Sequence, residues 1–334
     1  MNLLPIEPER GIQMWKPREI IINRRVADDP VTRRIHSLCP DVPTKIIDDS
    51  NPKTVTSASY ILPDSGSMLE KVLAGKQILH VAPAAPGTVD TFTMPDERIM
   101  CPHFERLKLA SNGCFYQCDW CYLKLTYRAA FPFITIRTQY DVIKEQLWRR
   151  LEKTHERIIF NSGELADSLA MEHLTGAAQE FIPWFGQMEN GYLFMLTKSD
   201  NVDGILGLDH NLHTIIAWSM NNAEVSRRFE IGAPPFDRRL RAARKVQEAG
   251  YPVRIRIDPI VPGPSWREAY AETVERIFDE VSPERVTLGT LRFEEGFYKM
   301  RNSIFSTGEE LRGLVEGMEP MFPPVAVPGR KRPA

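Results

Sequence analysis

The chain has 334 residues, 43% hydrophobic and 26% charged, and a formal net charge of -2. A chain of this size buries one large core, or a main domain with a smaller appendage, and its near-neutral balance excludes the sequence-independent polyanion binding of a strongly basic protein. No apolar run reaches the length of a membrane span, and the opening M-N-L-L-P-I-E-P-E-R lacks the basic then apolar order of a signal peptide, so a cytoplasmic protein with no membrane association is expected.

Taken in order, E-I-I-I-N-R-R at 19–25 predicts a strand, and D-D-P-V-T-R-R-I-H-S-L predicts a helix with an Asp N-cap and Pro in its first turn. Cys39, in I-H-S-L-C-P, reads as a small buried apolar residue. A strand at 44–48, a helix near 68–74 and a strand at 76–81 complete a small α/β unit. The stretch 82–102 is rich in Pro, Gly and Thr and reads as a linker. Beyond it, short apolar runs alternate with helical segments. Strands are predicted near 105–110, 157–162, 191–197, 213–219, 252–258 and 285–291, which is the pattern of β-α units around a parallel sheet. The helices between them include 139–153, with Val142, Ile143, Leu147 and Leu151 as its apolar stripe. Another is 236–249, with Phe236, Leu240, Ala243 and Val246, ended by Gly250. Six units do not fill an eight-stranded barrel, so the expected fold is α/β, a partial (β/α)6 barrel with a small N-terminal α/β unit. The expected boundaries are 1–100 for that unit and linker, 101–295 for the barrel core, and 296–334 for a C-terminal segment with a Pro-rich basic tail. Chemistry in such folds sits at the carboxyl ends of the strands.

Five cysteines, three of them clustered, read as reduced thiols rather than a disulfide framework. Cys114, Cys118 and Cys121 lie in S-N-G-C-F-Y-Q-C-D-W-C-Y, a C-x3-C-x2-C spacing just after the first predicted barrel strand. Three thiolates at this spacing suit a 4Fe-4S cubane that keeps one iron open to another ligand. Structural zinc is the competing reading, with Cys101 or His103 of M-C-P-H-F as a fourth ligand, but zinc modules tend to pair C-x2-C knuckles across a loop.

With that triad in place, the chain resembles the radical S-adenosylmethionine superfamily. Three runs narrow the resemblance to the spore photoproduct lyase family: N-G-C-F-Y-Q-C-D-W-C-Y-L, M-L-T-K-S-D-N-V-D-G-I-L and F-E-I-G-A-P-P-F-D-R-R-L-R-A-A-R-K-V. The resemblance implies Cys114, Cys118 and Cys121 as ligands of a 4Fe-4S cluster and S-adenosylmethionine as cofactor. An electron donor such as flavodoxin or ferredoxin is also implied, with a thymine dimer in damaged DNA, or a related nucleotide, as substrate. It further implies that Ser162, Gly163 and Glu164 accept the methionyl ammonium, and that Lys198 and Ser219 contact the carboxylate and ribose. Asp258 then lies by the adenine. A lysine at a strand end is most often solvated, and an Asp before Pro most often a turn residue. Their order on successive strand ends sets these residues apart.

The pattern also breaks. The family uses a cysteine after its second strand to return a hydrogen atom, and the register puts Glu164 there, which has no S–H bond to donate. A tyrosine pair around the third cluster cysteine is represented by Trp120 and Tyr122. These departures keep open a radical enzyme acting on a small molecule or peptide, and a zinc-stabilised nucleic-acid-binding protein without catalysis. Arg238, Arg239, Arg241, Arg244 and Lys245, with Arg227 and Arg228, form either a phosphate-tracking surface or a solvated helix face.

Overall fold

The computed structural model describes residues 14–93, 103–126, 133–292 and Gly313. The first element among the described residues is β1 (Glu19–Asn23), whose five residues are all buried, as a strand covered on both faces must be. The helix α1 (Pro30–Leu38) follows as the sequence predicts: the Asp29 side chain accepts from the Val31 N–H and Pro30 opens the first turn. Cys39, which caps its end, is buried among Ile20, Ile35 and Val81. Next come β2 (Thr44–Ile47), α2 (Pro52–Ala58), α3 (Met68–Gly75) and β3 (Ile78–Ala82). A reciprocal Ser67–Glu70 capping box starts α3.

The segment 82–102 is not merely a linker, because β4 (Val89–Thr93) lies within it and pairs antiparallel with β5 (His103–Leu107). Val89 alone of β4 is buried and Thr91 and Thr93 are exposed, which suits an edge strand and hides it from a search for continuous apolar runs. Then β6 (Ala110–Ser111), α4 (Leu123–Thr126) and β7 (Ile134–Arg137) precede α5 (Tyr140–Leu151). Both β6 and β7 join the first sheet, whose order is β2-β1-β3-β7-β6.

The remaining units run β8 (Ile158–Asn161), α6 (Glu172–Thr175), α7 (Ala177–Gly186), β9 (Gly191–Thr197), β10 (Thr214–Ser219), α8 (Ala223–Phe229), α9 (Phe236–Glu248), β11 (Val253–Ile260), α10 (Trp266–Glu280) and β12 (Arg285–Thr290). The second sheet has the order β12-β11-β10-β9-β8-β5-β4, with β5, β8, β9, β10, β11 and β12 mutually parallel. These are the six strands expected from sequence. Among the described residues the sheet does not close on itself, and β4 and β12 are its edges. This is the α/β partial barrel that the unit count requires.

One core joins the second sheet to its helices. Phe160, Trp218, Phe181 and Phe185 are fully buried there, beside the α9 stripe of Phe236, Leu240, Ala243 and Val246. Each such side chain contributes about 1.5–3 kcal/mol through removal from water. Because the six strands are parallel, their carboxyl ends share one rim, and Asn161, Thr197, Ser219 and Ile260 stand along it. Among the described residues no helix is long and apolar enough to cross a membrane. Cys101 and the tail 293–334, apart from Gly313, lie outside the described residues.

Candidate functional site

The cysteine loop runs between β6 and β7 of the first sheet, yet its backbone is fastened to the rim of the second. The Gly113 N–H donates to the Leu165 carbonyl (2.8 Å), that of Gln117 to Ile231 (2.8 Å) and that of Asp119 to Phe229 (2.9 Å). Cys114, Cys118 and Cys121 belong to one packed group with Phe115, Tyr116, Ala170 and Ala233. Burial pushes the Cys114 thiol up to about 12 and the Cys118 thiol up to about 11. Against that push stand buried cations. Lys76 acts on both thiols and Lys198 on Cys118, while Lys124 pairs with the buried Asp119 at 3.4 Å. Lys76 is itself tied down through a hydrogen bond to the Tyr116 carbonyl.

This donor set fits an anionic iron–sulfur cluster. Soft thiolates are its ligands, and the surrounding lysines favour negative charge in a place where an apolar wall alone would oppose it. Among the described residues no three His, Cys, Asp or Glu side chains are grouped as a site for a single ion. A single ion needs its ligands within reach of one point, whereas a cubane takes each thiolate on a different iron and asks only that they surround a common space.

The strand-end residues follow in order along the rim. After β8, Ser162 is buried, its backbone N–H and hydroxyl both reaching the Phe194 carbonyl of β9. Gly163 lies hard against Leu196. Glu164 is turned toward β5 and β4, where its Oε2 stands 3.4 Å from Nη1 of Arg106. Arg106 in turn binds Asp90 at 2.7 Å, and Lys108 binds the same carboxylate at 2.9 Å. Burial raises the Glu164 carboxyl despite the opposing pull of Arg106. Arg106, Lys108, Asn161, Ser162, Glu164 and Leu165 line a small cleft on this side of the rim.

Lys198, just past β9, is not a solvated strand-end lysine. Its ammonium is largely covered and stands 3.7 Å from Glu230 Oε1. Burial alone would pull its pKa down, but Glu230, Cys118 and Asp167 together push it up. Asp167 organises the loop beneath: its carboxylate accepts from the N–H groups of Leu169, Ala170 and Lys198 and from the Thr197 hydroxyl. Ser219 ends β10, and its carbonyl accepts from Arg239 Nη1 at 3.0 Å. Asp258 in β11 is held by Arg256 (3.1 Å) and by both Nη atoms of Arg292 (3.0 and 3.1 Å). Trp120 packs on Phe229, and Tyr122, 49% exposed, donates its hydroxyl to the Glu164 carbonyl at 2.6 Å.

On the basic helix face only Arg239 departs from the solvated position expected for it. Arg239 has no exposure at all, and its guanidinium is spent on the Pro234 and Ser219 carbonyls, the Ser226 hydroxyl and, at 2.6 Å, Glu230 Oε2. Arg238 pairs with Asp200, Lys245 with Asp203, Arg244 with Glu248 and Glu280, and Arg228 with Glu224. Only Arg227 and Arg241 have no ion pair among the described residues, so this face is largely neutralised. Glu230, Asp167 and Arg106 were not singled out from sequence, and Arg239 was read only as part of the basic helix face, not as a buried residue. A signal for Arg239 existed, since it falls on the buried stripe three residues after Phe236 and next to Leu240.

Six parallel strands in an open sheet, with a thiol loop bound to their carboxyl rim, define a partial α/β barrel of the radical S-adenosylmethionine type. The family profile described as spore photoproduct lyase matches residues 102–301, more than half of the chain, and the chain belongs to the spore photoproduct lyase family. It is similar to the spore photoproduct lyase of Geobacillus sp., at 32% identity over 55% of this chain and 53% of that protein. With that of Bacillus subtilis it shares 33% identity over 53% and 51%. The chain thus spans about half the length of the curated relatives it matches. The fold matches a solved spore photoproduct lyase with bound AdoMet and dinucleoside spore photoproduct, at a TM-score of 0.74 and 21% identity over 87% of this chain and 83% of that one. Another solved structure of a lyase variant gives 0.75 and 22% over 89% and 85%.

Proposed function

We propose that the chain is a radical S-adenosylmethionine enzyme whose Cys114, Cys118 and Cys121 hold a 4Fe-4S cluster, and whose substrate is a damaged or modified nucleotide. When bound, such a cluster supplies the electron that cleaves S-adenosylmethionine to a 5′-deoxyadenosyl radical, which abstracts hydrogen from the substrate. One observation carries the reading: the thiol loop is bonded to the very rim on which Ser162, Lys198, Ser219 and Asp258 stand in order. The solved relative with AdoMet and a dinucleoside lesion supports both the cofactor and the substrate class.

The chain's own residues then have defined work. Lys198 offers a buried cation to the carboxylate of an amino-acid tail, a charge-assisted contact that is strong away from water. Glu164 offers a carboxylate to the ammonium, in competition with Arg106. Ser219 presents a hydroxyl at the next strand end for a ribose, and Asp258, clamped by two arginines, fixes the backbone beside an adenine. Trp120 and Phe229 keep water from the thiols. An external donor of flavodoxin or ferredoxin type supplies the electron.

A second reading has a specific observation behind it. By the resemblance Glu164 takes the place of the family's hydrogen-donating cysteine, and its carboxylate is engaged with Arg106. A reaction that needs no thiol donor, on a small molecule or peptide, suits that arrangement.

Anaerobic reconstitution with iron and sulfide, followed by S-adenosylmethionine and reductant, tests both. The leading reading expects 5′-deoxyadenosine formation that rises when a dinucleotide spore photoproduct is added, with thymine recovered. Formation unaffected by the dinucleotide favours the second reading, and a chain that takes up no iron overturns both. Cys101→Ala is expected to leave the iron content unchanged, whereas structural zinc would be released.

A further inference from the structure

Cys118 and Glu230 face each other through a matched pair of backbone bonds. The residues on either side of the cysteine, Gln117 and Asp119, donate to the carbonyls on either side of the glutamate, Ile231 and Phe229, at 2.8 and 2.9 Å. The glutamate ends α8, only 2% exposed, where its own N–H returns to the Ser226 carbonyl. Its two oxygens are divided between two cations, Oε1 at 3.7 Å from Lys198 and Oε2 at 2.6 Å from Arg239. Arg239 is in turn fixed by Pro234, Ser219 and Ser226. One cation, Lys198, and the Glu230 carboxylate thereby act on the most buried of the three thiols, and Arg239 fixes the carboxylate. A buried charge without a task is costly, and two of these three would be unpaired without Glu230.

We propose that Glu230 is a positioning residue which, with Lys198 and Arg239, anchors the Cys118 loop and sets the electric field at the metal cluster, and hence its reduction potential. This role rests on the cluster reading above. Reduction adds an electron to the cluster, so a neighbouring negative charge opposes it and a neighbouring positive charge favours it, and in a dry site the effect is weakly screened. Glu230 therefore holds the potential down, Lys198 holds it up, and the pair fixes a compromise between ease of reduction and reducing power. Substrate need not touch either group for this to matter.

The test is an EPR-monitored redox titration of the reconstituted chain without S-adenosylmethionine, alongside Glu230→Gln and Lys198→Met, with iron content measured for each. At matched iron content the Glu230→Gln potential is expected to move to less negative values and the Lys198→Met potential to more negative ones. A loosened loop would not produce opposite shifts. Potentials that stay at the wild-type value, or move together, overturn the role while leaving the cluster reading intact. A wild-type chain that takes up no iron overturns the cluster reading and this role with it. Should Glu230→Gln fail to fold, Lys198→Met decides, since it leaves the Glu230–Arg239 pair in place: a downward shift supports the role and an unchanged potential overturns it.

Discussion

Gly163 lies so close to Leu196 that a Cβ on the glycine would stand 2.6 Å from the Leu196 Cβ and 2.7 Å from its carbonyl oxygen. The loop after β8 is thereby pressed flat against β9, which brings Ser162, Glu164 and Asp167 to the same rim as Lys198. The conflict is with a strand backbone and the root of a side chain, neither of which can swing away. Gly163→Ala is expected to destabilise the fold by about 1–3 kcal/mol, the usual cost of forcing a methyl group into a packed interior. A urea unfolding midpoint equal to that of the wild type would show that the loop moves freely, contrary to this packing.

His80 in β3 supplies a pH dependence. It is 1% exposed and its Nδ1 lies 3.2 Å from the Thr135 hydroxyl, which also receives the Asn112 side chain at the start of the cysteine loop. Burial first, and then Arg137, lower its pKa from 6.5 to about 4. A base whose folded pKa is depressed binds its proton more readily when unfolded, so its effect is to remove stability as pH falls from about 6.5 to about 4. The full penalty is roughly 3 kcal/mol, at about 1.4 kcal/mol for each unit. His80→Gln is expected to flatten this part of the stability curve, read from thermal or urea unfolding between pH 4 and 7. An equal slope in both proteins would refute the assignment.

The six barrel strands were legible in the sequence for a physical reason. A parallel strand covered on both faces needs a near-continuous apolar run, as β10 shows with every residue buried, while β9 and β11 bury alternate residues and were legible as short β-branched and aromatic runs. The α9 helix was legible because Phe236, Leu240, Ala243 and Val246 recur at helical spacing before a Gly at positive φ. The short strands β4, β6 and β7 were not legible: β6 has two residues, neither of them buried, β4 is an edge strand with two exposed threonines, and β7, although mostly buried, is only four residues long and pairs with β3 some fifty residues earlier. The thiol loop was visible from spacing alone, but its electrostatic support was not. Arg239 reads as one more charge in a basic helix until folding places it under Ser219 and beside Glu230, and Glu230 has no neighbour in sequence that hints at Lys198.

Arg239 and Arg241 are two residues apart on one helix, and the structure separates them completely. Arg239→Met leaves Glu230 in the interior with only the more distant Lys198 as partner, which is expected to cost about 3–5 kcal/mol. Arg241→Ala removes an exposed side chain with no ion pair among the described residues, and is expected to stay within about 0.5 kcal/mol of the wild type. Paired denaturation curves check the contrast, and similar losses in the two variants would mean that the buried network is not what holds this end of the sheet.

The cysteines divide by position rather than by type. Cys114, Cys118 and Cys121 share one apolar group beside Lys76 and Lys198, while Cys39 is packed in the first sheet's core among Ile20, Ile35 and Val81. Replacing any one of the first three with Ser substitutes a harder and less acidic donor at a thiolate site. Each such variant is expected to lose most of its iron and of the broad visible absorbance of an iron–sulfur cluster after anaerobic reconstitution. Cys39→Ser places a hydroxyl in an apolar pocket, so it is expected to lower stability by about 1–3 kcal/mol while leaving iron per chain unchanged. Iron analysis after gel filtration distinguishes the two groups. Equal loss of iron from Cys39→Ser and Cys118→Ser would mean that iron uptake follows general stability and not ligation by the loop.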